Sequence, residues 1–419
     1  MKFYIETYGC TSNQGNSQDL ARTLQENGHI PSTLEEADAV IVNTCAVTEK
    51  TERKVMRRLS MLQGERLIVA GCLSVAIPES ISHISCRGRM GLLSGPAAAE
   101  IVDLFPDPAS PAATKEAMPC ARPNFQFASD ACAVVNISEG CNGSCSYCIV
   151  RKARGPLKSR SPEEVKAQVK ELVGKGYVEM QISAQDTAAY GFDLGTNLAK
   201  LLERVAEVSG NFRVRVGMMN PSRILSQEKE LIHAFHSPKI YRFLHIPVQS
   251  GSDAVLQSMD RKYNAHDFQS AVDAFRSDFP DITIITDIIA GFPGETDEHF
   301  QESLQLIDRL QPDKVNITRF SKRPGTPAAL KYDMPDRIKK NRSREMTRLW
   351  LDIARERNRR CVGQTISVLV TEQGREGTMK ARAENYLGVL VAGKALLGER
   401  VTVEVVESNP FYVLGRVVD

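Results

Sequence analysis

Three cysteines at the spacing C-x3-C-x2-C constrain this chain more than any other feature, because they place three thiols within one short loop. The three are Cys141, Cys145 and Cys148. An iron–sulfur cubane normally takes four thiolates, so three cysteines leave one iron with an open position for a small molecule. A structural zinc site is the alternative, but it requires a fourth Cys or His nearby. The next histidine downstream, His233, is far along the chain, so the spacing favours a cluster.

A second set of three cysteines lies in residues 1–110, where alternating strands and helices indicate a doubly wound parallel sheet. The predicted strands are Phe3–Thr7, Val40–Asn43 and Leu67–Ala70. The cysteines that follow these strands are, in order, Cys10, Cys45 and Cys72. Because the carboxyl ends of parallel strands form one ligand-binding edge, we expect these thiols to meet in a second three-thiol site. The alternative is that all three are buried core cysteines, a common environment for this residue.

Six further strand candidates alternate with helical segments in residues 127–360, which indicates a partial barrel of (β/α)6 type. The strands are expected at Val134–Ser138, Met180–Ser183, Arg213–Gly217, Phe243–Val248, Ile282–Ile289 and Lys314–Phe320. Reactive groups of such barrels gather at the carboxyl ends of the strands, and the loop that carries Cys141 follows the first strand. A proline-rich stretch over residues 106–128 predicts the linker between this domain and the preceding sheet.

The chain ends in a basic helical pattern and a predicted small β-barrel. Arg337–Arg360 carries ten Lys or Arg residues against three acids, which suits RNA phosphates, although a solvated linker helix has the same composition. Residues 361–419 contain five short strand candidates with glycine turns, a pattern typical of small barrels. From Val362 onward there are six Lys or Arg against seven Asp or Glu, so the barrel is not basic. RNA affinity would therefore depend on the helix and on the local placement of charge.

The composition narrows the class of protein. The formal net charge is only +2, so no polybasic character extends over the whole chain. No apolar run approaches the roughly 18 residues of a membrane span and no signal-peptide pattern is present, so we expect a cytoplasmic protein. Ten cysteines in a reducing compartment favour metal ligands over disulfides. The cysteines outside both three-thiol sets are predicted to be structural: Cys86, Cys120, Cys132 and Cys361.

The loop of Cys141, Cys145 and Cys148, with its flanks Ile137–Gly140 and Arg151–Gly155, resembles the radical S-adenosylmethionine (SAM) enzymes. In that superfamily the amino and carboxylate groups of SAM chelate the open iron of a [4Fe–4S] cluster. An electron from the cluster then cleaves SAM to a 5′-deoxyadenosyl radical. The resemblance therefore implies that this loop holds a [4Fe–4S] cluster and binds SAM.

The N-terminal cysteines narrow the resemblance to the methylthiotransferases. The segments that carry it are Thr7–Ser17, Asn43–Thr48 and Ala70–Leu73. In that family the cysteines that match Cys10, Cys45 and Cys72 hold an auxiliary [4Fe–4S] cluster. Its open iron carries the sulfur, or methylated sulfur, that is inserted into the substrate.

Further motifs of the central domain resemble segments that border SAM in the superfamily. They are Ser183–Thr187, Pro247–Ser252, Met259–Tyr263 and Thr286–Thr296. Taken alone, the Gly-Phe-Pro-Gly-Glu-Thr run in the last segment would also fit a turn before a capped helix. The SAM-binding region that the resemblance implies comprises Gln185, Asp186, Ser222, Gln249, Arg261 and Asp287. No catalytic residue is predicted beyond the six cluster ligands.

The C-terminal barrel resembles the TRAM domain of many tRNA-modifying enzymes, so the resemblance extends over the whole chain. It implies an enzyme that uses two [4Fe–4S] clusters and two SAM molecules to place a methylthio group on carbon 2 of an adenine. Tyr8–Gln14 and Pro410–Gly415 look most like the archaeal and eukaryotic branch, which acts on N6-threonylcarbamoyladenosine next to the anticodon. The implied partners of the monomeric enzyme are a tRNA anticodon stem-loop, an electron donor such as ferredoxin or flavodoxin, and a sulfur donor.

Other functions are compatible with the same residues. Related branches of the family modify N6-isopentenyladenosine or an aspartate of a ribosomal protein. A different class, a non-enzymatic RNA-binding protein with structural metal sites, predicts zinc, a colourless protein and no cleavage of SAM.

Substitution of Cys10, Cys45 and Cys72 by alanine is expected to lower the iron content from about eight to about four per chain after anaerobic reconstitution. Cleavage of SAM should persist, since the other three cysteines are intact. Iron and sulfide assays on the wild type and the triple variant check this. An unchanged iron count would assign the three cysteines to the hydrophobic core and remove the basis for sulfur insertion.

Overall fold

A computed structural model describes residues 1–93, 100–101, 104, 131–375 and 377–418. The predicted linker over residues 106–128 and its cysteine, Cys120, lie outside these ranges. The boundary that the sequence predicts between the first two domains, between residues 110 and 127, is therefore still a prediction. Within the described ranges, no helix combines the length and the apolar character that crossing a membrane requires.

The N-terminal part forms a five-stranded sheet in which every pair of neighbours is parallel. Its strands are β1 (Lys2–Thr7), β2 (Ile30–Pro31), β3 (Ala39–Thr44), β4 (Gly64–Gly71) and β5 (Cys86–Arg89), in the spatial order β2-β1-β3-β4-β5. Every residue of β3 is buried, because alternate side chains enter hydrophobic clusters on the two faces of the sheet. Helix α1 (Thr11–Glu26) covers one face and helix α2 (Glu49–Leu62) the other. The predicted doubly wound parallel sheet is confirmed.

Helix α2 begins where the sequence supplies a cap. The side chain of Thr48 accepts a hydrogen bond from the backbone amide of Thr51, and the acids Glu49 and Glu52 lie in the positive first turn. One apolar stripe of the helix packs on the sheet and is formed by Val55, Leu59 and Leu62. The opposite face is left to solvent.

The central part contains six parallel strands arranged as two sheets of three, in the orders β10-β9-β6 and β11-β12-β13. The strands of this part are β6 (Cys132–Asn136), β7 (Ser138–Glu139), β8 (Lys158–Ser159), β9 (Glu179–Ser183), β10 (Arg213–Val216), β11 (Phe243–His245), β12 (Thr283–Ala290) and β13 (Lys314–Arg319). A parallel bridge between Val214 and Ile240 continues the first sheet toward the second, and β7 pairs with β8 alone. The six long strands follow chain order, as expected for the predicted partial barrel, which is confirmed.

Helices surround this barrel on its outer side. The helices are α3 (Cys72–Ala76), which precedes it, then α4 (Val150–Arg154), α5 (Pro162–Gly174), α6 (Leu198–Ala206), α7 (Pro221–Leu225), α8 (Glu228–Phe235), α9 (Asp253–Ser258), α10 (Ala265–Asp278) and α11 (Asp297–Leu310). Short 3-10 turns cover Pro78–Ile81, Thr187–Ala189 and Pro327–Leu330. The start of α5 follows the predicted signals, because Ser161 and Glu164 form a capping box around Pro162, the first residue of the helix.

The basic helix α12 (Asp336–Arg359) uses several of its cations to pack against the barrel. The buried ammonium of Lys339 lies 3.0 Å from Asp333, and the buried guanidinium of Arg342 lies 2.6 Å from both Glu295 and Asp297. These cations neutralise buried or neighbouring carboxylates and are not available to phosphates. The sequence left open whether this helix binds RNA phosphates or is a solvated linker, and for Lys339 and Arg342 the structure shows a packing role.

The C-terminal strands close into a barrel in the order β14-β15-β16-β18-β17. They are β14 (Thr365–Gln373), β15 (Met379–Ala383), β16 (Gly388–Ala392), β17 (Arg400–Ser408) and β18 (Val413–Val417). Alternate valines and alanines fill the interior, as the strand period of two requires. The predicted small β-barrel is confirmed, and the exact domain bounds 127–360 and 361–419 are still predictions.

The barrel docks at the amino ends of the central strands. The ring of Tyr386 packs edge-on against Tyr241 and Phe243, with centroids 4.8 Å away in both cases. Its hydroxyl donates a hydrogen bond of 2.9 Å to Glu179, the first residue of β9. Arg213, the first residue of β10, pairs with a carboxylate of the barrel. The loop that carries Cys141, Cys145 and Cys148 lies at the other end of β9.

Replacing Tyr386 by alanine is expected to loosen the barrel from the core, since the half-buried ring and its two aromatic contacts together contribute up to roughly 3 kcal/mol. Limited trypsin digestion near Arg359 should then release the barrel several times faster than in the wild type. Tyr386→Phe keeps the ring and loses one hydrogen bond, worth about 1 kcal/mol, so it should resemble the wild type. Equal digestion rates for all three proteins would show that docking does not depend on this ring.

Candidate metal centres and SAM site

The three N-terminal cysteines come together at the carboxyl edge of the parallel sheet. Cys10 caps helix α1, Cys45 follows β3 directly and Cys72 is the first residue of α3. Gly9 has a φ of +106°, and a Cβ there would lie 2.7 Å from the Cβ of Cys45. Only glycine therefore allows the loop that ends at Cys10 to pass so close to Cys45.

Asn13 ties these three loops to one another. Its Nδ2 donates hydrogen bonds to the carbonyl oxygens of Tyr8, at 2.6 Å, and Thr44, at 2.9 Å. Its Oδ1 lies 3.8 Å from the thiol of Cys72. One buried amide thus contacts a residue in or next to each cysteine loop, which fixes the three thiols relative to each other.

The second set of thiols lies on the loop that follows β7. The backbone amide of Gly143 donates a hydrogen bond of 3.2 Å to the thiol of Cys141. Ser146 anchors the middle of the loop, because its amide and its hydroxyl each donate to carbonyl oxygens at the end of helix α9. Tyr147 packs edge-on against Phe292, which lies in the glycine-rich turn after β12.

Burial shapes the acid–base chemistry of both sites. It raises the pKa of the thiols of Cys45 and Cys148 to about 12, and it also raises the pKa of Cys72 and Cys141. At neutral pH these sulfurs form thiolates only when a cation replaces the proton. Iron supplies such a cation, so the donor set fits a cluster.

Arg154 connects the two three-thiol sites. It ends helix α4, which packs in one hydrophobic cluster with α3 and so places the segment after Cys148 against Cys72. Its guanidinium donates hydrogen bonds to the side-chain oxygens of Asn13 and, at 3.3 Å, Asn16, and it pairs with Glu139 at 2.9 Å. Burial lowers the pKa of Arg154, but the neighbouring thiols of Cys72 and Cys10 outweigh this effect and raise it.

Arg261 lies beside the second site. Its Nη1 donates a hydrogen bond of 3.2 Å to the thiol of Cys145, and its Nε donates one of 2.7 Å to Tyr263. Burial lowers the pKa of this guanidinium, but Tyr147, Tyr263 and Cys145 outweigh it and raise the pKa. The residue that the sequence assigns to the SAM region thus contacts a predicted cluster ligand.

Gln185 and Asp186 lie at the carboxyl end of β9, where the resemblance places polar groups for SAM. The Oε1 of Gln185 accepts a hydrogen bond of 2.8 Å from the amide of Gly140, one residue before Cys141. Its Nε2 is buried and has no hydrogen-bond partner among the described residues. Asp186 accepts from the amide of Asn220 at 3.0 Å, and burial raises its pKa. A buried donor without a partner fits a site for a polar ligand.

The other candidates occupy neighbouring strand ends. Ser222 donates from its hydroxyl to Asn220 at 3.1 Å in the first turn of α7. Gln249 has a φ of +74°, an uncommon conformation for a residue other than glycine, and bridges to β12 at Ile288. Asp287 lies further from the strand end and accepts hydrogen bonds from Asn316, at 2.7 Å, and from His245, at 3.1 Å. Its side chain thus has partners within the barrel.

The residues present fit two iron–sulfur clusters and SAM. Within the described ranges, no group of three His, Cys, Asp or Glu side chains converges closely enough to hold a single metal ion. A cubane distributes its three thiolates over three different irons, so its ligands need not converge on one point. The Nε2 of Gln185 has no partner among the described residues beside the Cys141 loop, and a Cβ at Gly143 would lie only 3.3 Å from the thiol of Cys141.

The sequence analysis did not assign Arg154 to a site. It lies within the flank Arg151–Gly155, and the structure buries it and leaves its neighbours Arg151 and Lys152 exposed. No local pattern marks this difference, because the burial of Arg154 depends on the packing of α4 against a segment far away in sequence.

Three family models match successive parts of the chain. They are UPF0004, described as an uncharacterized protein family, over residues 2–88, the radical SAM superfamily over residues 135–307, and the TRAM domain over residues 359–418. The fold is similar to that of the radical SAM methyltransferase TsrM from Kitasatospora setae, with a TM-score of 0.55 over 78% of this chain and 75% of that chain. The sequence identity is 14%, so this likeness concerns the fold alone. The chain is a radical SAM protein with a C-terminal TRAM domain.

Curated relatives extend the match to the full length. The probable threonylcarbamoyladenosine tRNA methylthiotransferase of Pyrococcus abyssi is 42% identical, over 100% of this chain and 99% of the relative. The threonylcarbamoyladenosine tRNA methylthiotransferase of Drosophila melanogaster is 33% identical, over 100% of this chain and 78% of the relative. The chain belongs to the threonylcarbamoyladenosine tRNA methylthiotransferase family.

Replacing Arg154 by methionine is expected to reduce the iron content from about eight toward about four per chain. The change removes the positive charge beside Cys72 and the hydrogen bonds that hold Asn13, so the auxiliary site loses its geometry. Arg154→Lys keeps the charge and should retain an intermediate amount. Iron assays after anaerobic reconstitution, with circular dichroism to confirm folding, make the measurement.

The matched control is Arg151→Met, an exposed arginine on the same short helix, which should keep the full iron content. A full iron content in folded Arg154→Met would show that the arginine is dispensable for holding the cluster.

Proposed function

We propose that this chain places a methylthio group on carbon 2 of N6-threonylcarbamoyladenosine next to the anticodon of tRNA, using two [4Fe–4S] clusters and two SAM molecules. Relatives at 33–42% identity that carry this modified nucleoside in their names align with the whole chain, which supports the substrate. The reaction replaces an aromatic hydrogen that no acid or base in a protein can remove, so it calls for radical chemistry.

One observation carries the proposal. Two separate sets of three cysteines lie at the edges of two parallel sheets, and the buried guanidinium of Arg154 contacts the first set and Glu139, two residues before Cys141. A single radical SAM site needs only one of them. A second site held against the first supports a reaction in which a sulfur must be delivered to the carbon from which hydrogen is taken.

The cluster ligands in this proposal are Cys141, Cys145 and Cys148 for the radical site and Cys10, Cys45 and Cys72 for the auxiliary site. When bound, these groups supply the radical cleavage of SAM and the sulfur that is transferred. The protein binds and orients them. Gln185 offers the free Nε2 donor to bound SAM, and Asp186, Ser222, Gln249 and Asp287 are the further candidates for its polar groups. Arg261 positions the radical site through its hydrogen bond to Cys145.

We also propose that the enzyme is a monomer that works with separate donors of electrons and sulfur. Each three-thiol set is complete within a single chain, which supports a monomer. We propose a cytoplasmic enzyme that receives electrons from a donor such as ferredoxin or flavodoxin and sulfur from a separate donor. Light scattering of the reconstituted protein is expected to give the mass of one chain.

Deletion of the gene is expected to abolish 2-methylthio-N6-threonylcarbamoyladenosine in cellular tRNA, and mass spectrometry of tRNA nucleosides measures it. Re-expression of the wild type should restore the nucleoside, whereas the Cys10/Cys45/Cys72→Ala variant should not. An undiminished level of this nucleoside in the deletion strain would contradict the substrate assignment. Loss of the 2-methylthio derivative of N6-isopentenyladenosine instead would assign the chain to the branch that modifies that nucleoside. Activity that survives RNase treatment would indicate a protein substrate.

A further inference from the structure

An open cleft of about 1200 Å³ lies between the N-terminal sheet domain and the last strand of the partial barrel. Helix α2 forms one wall, and the end of β13 with the segment Phe320–Lys322 forms the other. Among the described strands, β13 pairs only with β12, so its outer edge faces this space. We call this space the basic cleft.

The wall formed by α2 presents one stripe of positive charge. The stripe consists of Lys50, Arg53, Lys54 and Arg57, all of which are exposed and line the cleft. Their spacing of i, i+3, i+4 and i+7 places them on a single helical face. The opposite face of α2 is the apolar stripe that packs on the sheet, so the orientation of these cations is fixed by the fold.

The facing wall adds two more exposed cations, Arg319 and Lys322. Acids in the cleft are few and already engaged, since Asp333 and Asp336 both pair with Lys339, and Glu49 pairs with Arg53. The cleft cations that form no ion pair with any described side chain are Lys50, Lys54, Arg57, Arg319 and Lys322. An unpaired cluster of this kind attracts a polyanion.

Both walls of the basic cleft contact residues that lie next to the two cysteine sets. Helix α2 starts four residues after Cys45, and the ammonium of Lys54 lies 5.3 Å from the ring centre of Tyr8, two residues before Cys10. On the other wall, Phe320 packs against Phe292, with ring centroids 5.4 Å apart. Phe292 in turn packs against Tyr147 of the other cluster loop.

We propose that the basic cleft binds the sugar–phosphate backbone of the substrate RNA and leads its anticodon loop to the two cluster sites. The inference rests on the proposed function and assigns the surface that holds the RNA. The barrel carries no excess of positive charge, and Lys339 and Arg342 of α12 are paired, whereas the cleft gathers five unpaired cations on walls that lead to both cysteine sets. Five unpaired cations in one cleft can neutralise several phosphates of a nucleic-acid backbone.

The test compares the reconstituted wild type with the full-length variant Lys50→Gln, Lys54→Gln, Arg57→Gln. The probe is a fluorescein-labelled synthetic tRNA anticodon stem-loop, titrated by anisotropy between about 50 and 200 mM KCl. We expect the affinity at the lowest salt to fall about tenfold or more, and the slope of log K against log salt to become shallower by about 2–3.

The matched control is Lys170→Gln, Lys200→Gln, Arg309→Gln, which removes the same charge from exposed positions on helices α5, α6 and α11. It should bind the RNA as the wild type does, and iron content and circular dichroism should show that both variants are folded. If both variants bind like the wild type, or if both weaken equally, the cleft proposal is overturned while the proposed function stands. If the wild type itself does not bind the stem-loop, both proposals fail.

Discussion

The buried guanidinium of Arg154 holds the N-terminal sheet against the partial barrel. The side chain of Arg154 is only 3% exposed, and a guanidinium withdrawn from water is tolerated only when hydrogen bonds and negative charge surround it. Its partners come from separate segments, namely Asn13 and Asn16 of α1, Cys72 of α3, and Glu139 before the radical SAM loop. The N-terminal sheet and the partial barrel must therefore meet in one relative position, and with them the two sets of thiols. Apolar packing alone would allow the sheet and the partial barrel to shift relative to each other, whereas the hydrogen bonds of a buried charge do not allow it.

The cations of the chain serve distinct purposes, although its net charge is close to zero. Those of α12, such as Lys339 and Arg342, neutralise carboxylates at the turn after β12 and so fix the helix to the barrel. Those near the two cysteine sets, Arg154 and Arg261, lie beside the thiols of Cys72 and Cys145. The stripe on α2 and the facing end of β13 form a group of cations that have no ion-pair partner among the described residues. Net charge therefore says little about where a polyanion would bind.

The sequence predicts the strands, the two cysteine sets and the closed barrel, because each depends on a local pattern. Strand positions follow from apolar runs, and β3 extends the predicted Val40–Asn43 by a single residue at each end. Tertiary contacts decide the rest. Nothing local separates Arg154, which is buried, from Arg151, which is exposed, and nothing in α12 marks Lys339 and Arg342 as partners of acids. The end of the core on which the barrel docks is likewise set by Tyr386 and Glu179, which are far apart in sequence.

Because the barrel docks at the amino ends of the strands, the height of the core separates it from the cysteine loops. The cluster sites lie at the carboxyl ends, and β12 alone has eight residues, which corresponds to a height of about 26 Å. Any molecule that contacts the barrel and reaches the clusters at the same time must extend over that distance. A free nucleoside cannot do so, whereas a folded RNA with a stem and a loop can. In the proposed function, a substrate that contacts both ends of the core is therefore restricted by its length as well as by its bases.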